Sequence, residues 1–213
     1  MGTYKKGILG SFRGIIGTVI GSIWNGIHYM RSLPEPSSKS PSTEQMNIRF
    51  RFSLIGSFVK LMQAHIAEGY QSFTNGMTPA NAATGYHLKN AITGMAPDYQ
   101  IDFPKVILSV GKLNKARNIK AVPAVGGEID CDWEMSSFTE YDEKLDSATF
   151  VVYNPERNMV VSARKAITRS ALKYKMLVPF DFVGDEVHLW MYFVSPSGKS
   201  VSNSNYLGKI TVL

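Results

Sequence analysis

Four histidines, one cysteine and a row of carboxylates are the side chains in this 213-residue sequence with chemistry to offer. His28, His65, His87 and His188 fall in four different predicted elements, and none has the spacing by which one element presents two ligands to a metal. Cys131 lies between Ile129 and Trp133 on the apolar side of a predicted strand. Acidic neighbours there raise a thiol's pKa, so it reads as a core thiol and not a nucleophile. No nucleophile elbow, phosphate-binding loop or dinucleotide fingerprint occurs. The chain is therefore expected to be a non-enzyme, with no catalytic, cofactor or metal residues.

The carboxylates are more informative. Glu128, Asp130, Asp132 and Glu134 alternate with Ile129, Cys131, Trp133 and Met135, so a strand there buries one set and exposes the other. At about 3.3 Å per residue the acids stand about 6.6 Å apart, too far to share one calcium ion without loop ligands. Glu140, Asp142, Glu143 and Asp146 extend the acidic block, and Arg157, Arg164, Lys165, Arg169, Lys173 and Lys175 form a basic block after it. Two readings remain open. Neighbouring strands pair these charges within the chain, or an acidic face on one copy meets a basic face on another and steers assembly.

The net charge of +6 is unevenly placed: eight basic residues oppose Glu35 and Glu44 up to Lys60, and beyond it fifteen basic residues balance fifteen acidic ones. A basic N-terminal part suits an acidic protein, an anionic surface or nucleic acid. Ile48-Arg49-Phe50-Arg51-Phe52 interleaves cations with aromatics as single-strand binders do. In a helix, however, Arg49 and Arg51 point about 200° apart, and Phe50 joins the apolar stripe.

Three sections must position these residues. From Gly7 to Pro34 the chain is apolar and glycine-rich, and its charge-free run from Gly14 to Ile27 is shorter than the roughly 20 residues of a membrane span. Asn25-Gly26 between apolar dipeptides is a two-residue hairpin signal, which sets Trp24 opposite Ile27 and Ile20 opposite Arg31. After a Pro/Ser linker at 35–43, apolar residues Phe50, Leu54, Phe58, Leu61, Met62 and Ile66 predict one helix ending near Gly69. Thr78-Pro79 opens a second, running through Ile92. Beyond Ile101 the period is two. Strands are predicted at Phe103–Val110, Glu128–Met135, Ala148–Tyr153, Met159–Ala163, Leu172–Val178 and Val187–Val194, with a last one ending in ITVL.

IDCDWEM resembles the second strand of a fibronectin-III-like or immunoglobulin-like domain, with Trp133 as its core tryptophan. VHLWMYFVSPSGKSVSNS is similar to the last hairpin of such a domain. The disulfide of antibody domains has no counterpart, because Cys131 is alone. The whole layout, including GIIGTVIGSIWNGIHYMRSLP and GYHLKNAITGMAPDYQIDFPKVILSVGKL, resembles an uncharacterised bacterial domain-of-unknown-function family. That resemblance implies the architecture and no chemistry.

The expected fold is α+β. A hairpin arm, linker and helix pair occupy residues 1–98, and an immunoglobulin/fibronectin-III-like β-sandwich occupies 99–213. The expected function is that of a structural or interaction protein, a homo-oligomer or the ligand of another protein. Its contact residues are expected to be Trp24, Asn25, Gly26, Tyr29 and Arg31 on the arm, and Glu128, Asp130, Asp132, Glu134, Arg164, Lys165 and Arg169 on the charged faces. The alternatives are nucleic-acid binding through the basic N-terminal part, and a carbohydrate- or cell-surface-binding module of a phage-like particle that stacks sugars on Trp190 and Tyr192. The absence of a signal peptide predicts a cytoplasmic or particle-associated protein.

Overall fold

A computed structural model describes residues 2–4, 7, 10–24, 26–36, 38–73, 76–135 and 141–213, without the side chains of Tyr4, Tyr141 and Asp142. The chain is β-rich, with several antiparallel sheets and, among the described residues, three α-helices, and it divides into two compact units, 1–42 and 43–213. The division follows Ser42, not residue 98, because the helices share a core with the strands that follow them.

The first unit is one antiparallel sheet in the order β1 (Thr3–Tyr4), β2 (Phe12–Ile16), β3 (Val19–Trp24), β4 (Ile27–Ser32), broader than a lone hairpin. The β3–β4 register sets Trp24 opposite Ile27 and Ile20 opposite Arg31. Asn25 lies outside the described residues, and Gly26 takes a positive φ of 81° in the turn. Gly21 is a close-approach glycine: a Cβ there would run into the backbone and ring of Phe12.

In the second unit α1 (Thr43–Leu61) and α2 (Gln63–Gly69) replace the single expected helix, with a break at Met62. Their buried side is Ile55, Phe58, Val59, Met62 and Ile66. Phe50 is exposed, because the stripe that reaches the core begins one turn later than the sequence suggests. α3 (Pro79–Asn90) is capped by Thr78, whose hydroxyl accepts from the Asn81 amide at 3.2 Å, with proline in the first helical position. It ends short of Ile92, where a small hairpin forms from β5 (Ile92–Met95) and β6 (Asp98–Ile101).

The segment expected to be the first strand, 103–110, opens with a 3₁₀ turn and then runs irregularly. Its amides have other partners: Leu108 donates to the Ser204 hydroxyl at 2.9 Å and Val110 to the Gly69 carbonyl at 3.0 Å. The first strand is instead β7 (Arg117–Ala124). It is followed by β8 (Glu128–Glu134), β9 (Ser147–Asn154), β10 (Met159–Thr168), β11 (Lys173–Leu177), β12 (Glu186–Val194) and β13 (Asn205–Thr211).

These seven strands make two antiparallel sheets, ordered β11-β8-β7 and β10-β9-β12-β13. Alternate residues of β9 and β12 divide between two cores. Phe150, Val152, Leu189, Met191 and Phe193 meet Ile129, Cys131 and Trp133 of β8, whereas Val151, Tyr153, Trp190, Tyr192 and Val194 meet the helices. Both faces of the four-stranded sheet are thus covered, which explains the nearly unbroken apolar runs of β9 and β12.

Candidate interaction surfaces

In the arm, residues paired across β3 and β4 share a face. Trp24, Ile27, Tyr29 and Arg31 stand together on one face, with Ile23, His28 and Met30 on the other. All six residues of β4 are exposed, and Met30 has 71% of its surface accessible. Trp24, Ile27 and Tyr29 are exposed as well, and Arg13 and Arg31 add charge beside them. Lys5 and Lys6 lie outside the described residues. Two shallow depressions of about 570 and 300 Å³ flank β4, and Met30 lines both.

Among the described residues only one side of β4 is paired. The Leu33 amide donates to Thr18 O at 2.7 Å, so the odd-numbered amides and carbonyls of β4 turn toward β3 and the even-numbered ones turn away. His28, Met30 and Ser32 therefore present main-chain donors and acceptors along an edge that no described strand covers.

The acidic row lies on β8, the middle strand of its sheet, and has basic cross-strand neighbours. Lys173 and Lys120 stand opposite Asp132, Lys175 opposite Asp130, and Arg117 opposite Glu134. Lys175 Nζ reaches Glu128 at 3.4 Å and Asp130 at 3.7 Å, and both carboxylates hold its pKa above the usual lysine value. Asn118 donates to Glu134 at 2.6 Å. The acidic face of β8 is thereby balanced largely within its own sheet. Glu140 lies outside the described residues.

Arg169 does not reach the surface. It is 2% exposed, with Asp146 at 2.9 Å, Glu143 at 3.0 Å and the Phe193 ring 4.0 Å beneath its guanidinium. Burial raises the Asp146 pKa despite the arginine, and lowers that of Arg169 despite both carboxylates. Desolvation outweighs attraction in this pair, as is usual for ions taken out of water. The backbone of Arg169 also accepts from the Trp133 indole at 2.9 Å. An interface contact is thus closed to this side chain.

Arg164 and Lys165 meet a residue that the sequence did not single out. Glu68 on α2 lies 3.7 Å from Arg164 and 3.5 Å from Lys165, and it accepts the Tyr192 hydroxyl at 2.9 Å. That hydroxyl accepts from His65 Nδ1 at 3.1 Å. Burial, with Arg164 nearby, lowers the His65 pKa to about 4 in spite of Glu68. His65 and Glu68, three apart on one helix face, were the only sequence sign of this cluster. It ties α2 to β12 and β10.

The remaining candidates are structural. Cys131 is buried, and desolvation followed by Asp132 and Asp130 pushes its thiol up to about 12. Trp190 and Tyr192 are buried against the helices and present no ring to a sugar. Arg51 donates to the Leu88 carbonyl at 2.8 Å, joining α1 to α3. Among the described residues no group of three His, Cys, Asp or Glu side chains is placed to hold a metal ion. No helix there is long and apolar enough to cross a membrane.

Compared with known proteins, residues 11–208 match the family described as Family of unknown function (DUF6266). None of the curated proteins matches the chain.

Proposed function

The chain belongs to the DUF6266 family, and on that premise we propose that it is a non-enzymatic structural or interaction protein that docks through its N-terminal sheet. The observation that carries this reading is β4, a strand exposed at all six positions and bearing Ile27, Tyr29 and Met30 at an edge that no described strand covers. Apolar side chains grouped at an open edge are the signature of a surface meant to be covered. The second unit serves as the scaffold. The order β11-β8-β7 facing β10-β9-β12-β13, with Trp133 in the shared core, supports a fibronectin-III-like sandwich. Its charged outer face contributes less to docking, because Lys173, Lys175, Lys120 and Arg117 already neighbour its acids.

Sedimentation equilibrium of the full chain, beside a full-chain Trp24→Ser, Ile27→Ser, Tyr29→Ser variant, tests the reading. The expected result is association in the parent that the variant loses while keeping its far-UV spectrum. Equal masses for the two proteins at every concentration would overturn it. A nucleic-acid role makes a different demand: affinity for a polyanion that falls steeply with salt and depends on Arg13 and Arg31.

A further inference from the structure

We propose that the uncovered edge of β4 pairs with β4 of a second copy, antiparallel about a two-fold axis through Met30, so that two four-stranded sheets become one of eight. The inference rests on the docking role of the arm proposed above and names its partner and register.

The first argument is comparative. The other long edge strands carry devices that discourage pairing. β7 contains Pro123 and a register break between Arg117 and Lys120, with Asn118 at a φ of 47°. β10 is broken between Ala163 and Ile167, where Lys165 takes a φ of 48° beside Arg164. β11 carries Lys173 and Lys175. The ladder of β13 with β12 shifts between Leu189 and Trp190, near Gly208 at a φ of 114°. β4 has no bulge and no lysine. Its ladder with β3 runs unbroken from Val19↔Ser32 to Trp24↔Ile27, it contains no proline, and its one formal charge is Arg31.

The second argument is the symmetry of the open groups. The outward main-chain positions are 28, 30 and 32, centred on Met30. A two-fold axis there sets Met30 opposite Met30 of the second copy and His28 opposite its Ser32. Every outward amide and carbonyl of both strands then finds a partner in the hydrogen-bonded pairs of an antiparallel ladder. In the intervening pairs Tyr29 faces Arg31 of the second copy, twice over, placing a guanidinium against an aromatic ring. Ile27 faces Leu33 of the second copy. No like charges stand directly opposite one another. Side-chain faces are preserved, so the apolar surfaces around Trp24 and Ile23 continue across the junction.

Residue 30 meets itself, which permits a charge-swap test on the full chain. Met30→Arg and Met30→Glu, each at a highly exposed position, place like charges opposite each other and are expected to weaken dimerisation about tenfold or more. An equimolar mixture of the two is expected to regain it at low salt. Met30→Cys is expected to form an intermolecular disulfide on oxidation, whereas His28→Cys, about 13 Å from its own mate at about 3.3 Å per residue, is not. Association that neither charge variant weakens, without a Met30→Cys disulfide, would overturn the β4 pairing and leave docking by another face of the arm standing. A parent chain that is monomeric at every concentration would overturn both.

Discussion

Arg169, Asp146 and His65 are the residues whose chemistry the interior has altered most usefully for experiment. Arg169→Met removes the guanidinium and leaves Asp146 buried beside Glu143, at an expected cost of about 3–5 kcal/mol at neutral pH. The Asp146 pKa is raised in the fold by burial, so the folded state holds its proton more tightly than the unfolded state. Its contribution is greatest at low pH and is lost as pH rises through the folded value. The deficit of Arg169→Met is therefore expected to shrink toward pH 4 and in the Arg169→Met, Asp146→Asn double variant, as read by urea unfolding. Histidines act in the opposite sense. His65 and His188 titrate at about 4 rather than 6.5, so each contributes stability that is full above pH 6.5 and is lost as pH falls toward 4. The loss is about 3 kcal/mol apiece at most. His65→Gln, which has no such proton to gain, is expected to flatten the fall in urea midpoint between pH 6.5 and 4.5.

Among the elements, the glycines separate close packing from convenience. A Cβ on Gly69 would strike the Leu108 carbonyl and Ser109, where α2 hands its last carbonyl to the Val110 amide. Gly69→Ala is expected to cost about 1–3 kcal/mol by forcing that segment away. Gly56 sits in α1 with open space around it, so Gly56→Ala is expected to add about 0.5–1 kcal/mol. Chemical denaturation of the two variants beside the parent checks both signs. The same segment explains what the sequence hid. FPKVILSV has the composition of a strand, but its amides are taken by Ser204, Gly69 and the His87 ring, partners far away in the chain that no local pattern announces. β7 has a weak signal for the converse reason: RNIKAVPA is largely polar at its start and broken by Pro123, as suits an edge. β8, β9 and β12 were plain because burial of one or both faces writes itself into the alternation. Of the candidate contacts, the arm pairs followed from the turn spacing. The burial of Arg169 has no local signal, and the claim of Glu68 on Arg164 and Lys165 has only the three-residue spacing of His65 and Glu68, because both depend on packing between distant elements.

Over the whole molecule, residues 43–213 are expected to unfold in one transition, because Phe58, Met62 and Ile66 share a core with Val151, Trp190 and Tyr192. Phe58→Ala, also at the edge of the Tyr153 and Phe103 rings, is expected to cost about 3–5 kcal/mol. Helical circular dichroism and the fluorescence of buried Trp133 and Trp190 should be lost together. Separate transitions for the two signals would show that helices and sheet are not one cooperative unit. Substitutions confined to the exposed side chains of β4 are expected to leave that midpoint unchanged. The double covering of the four-stranded sheet also governs what evolution can do with this chain. β9 and β12 have no outside, so nearly every position on them is committed to one core or the other, and neither strand is free to acquire a new specificity. Divergence among relatives should therefore gather in the first 42 residues, the outer face of β8 and its neighbours, and the connecting loops. The apolar positions of the two central strands should drift only among apolar residues of similar volume.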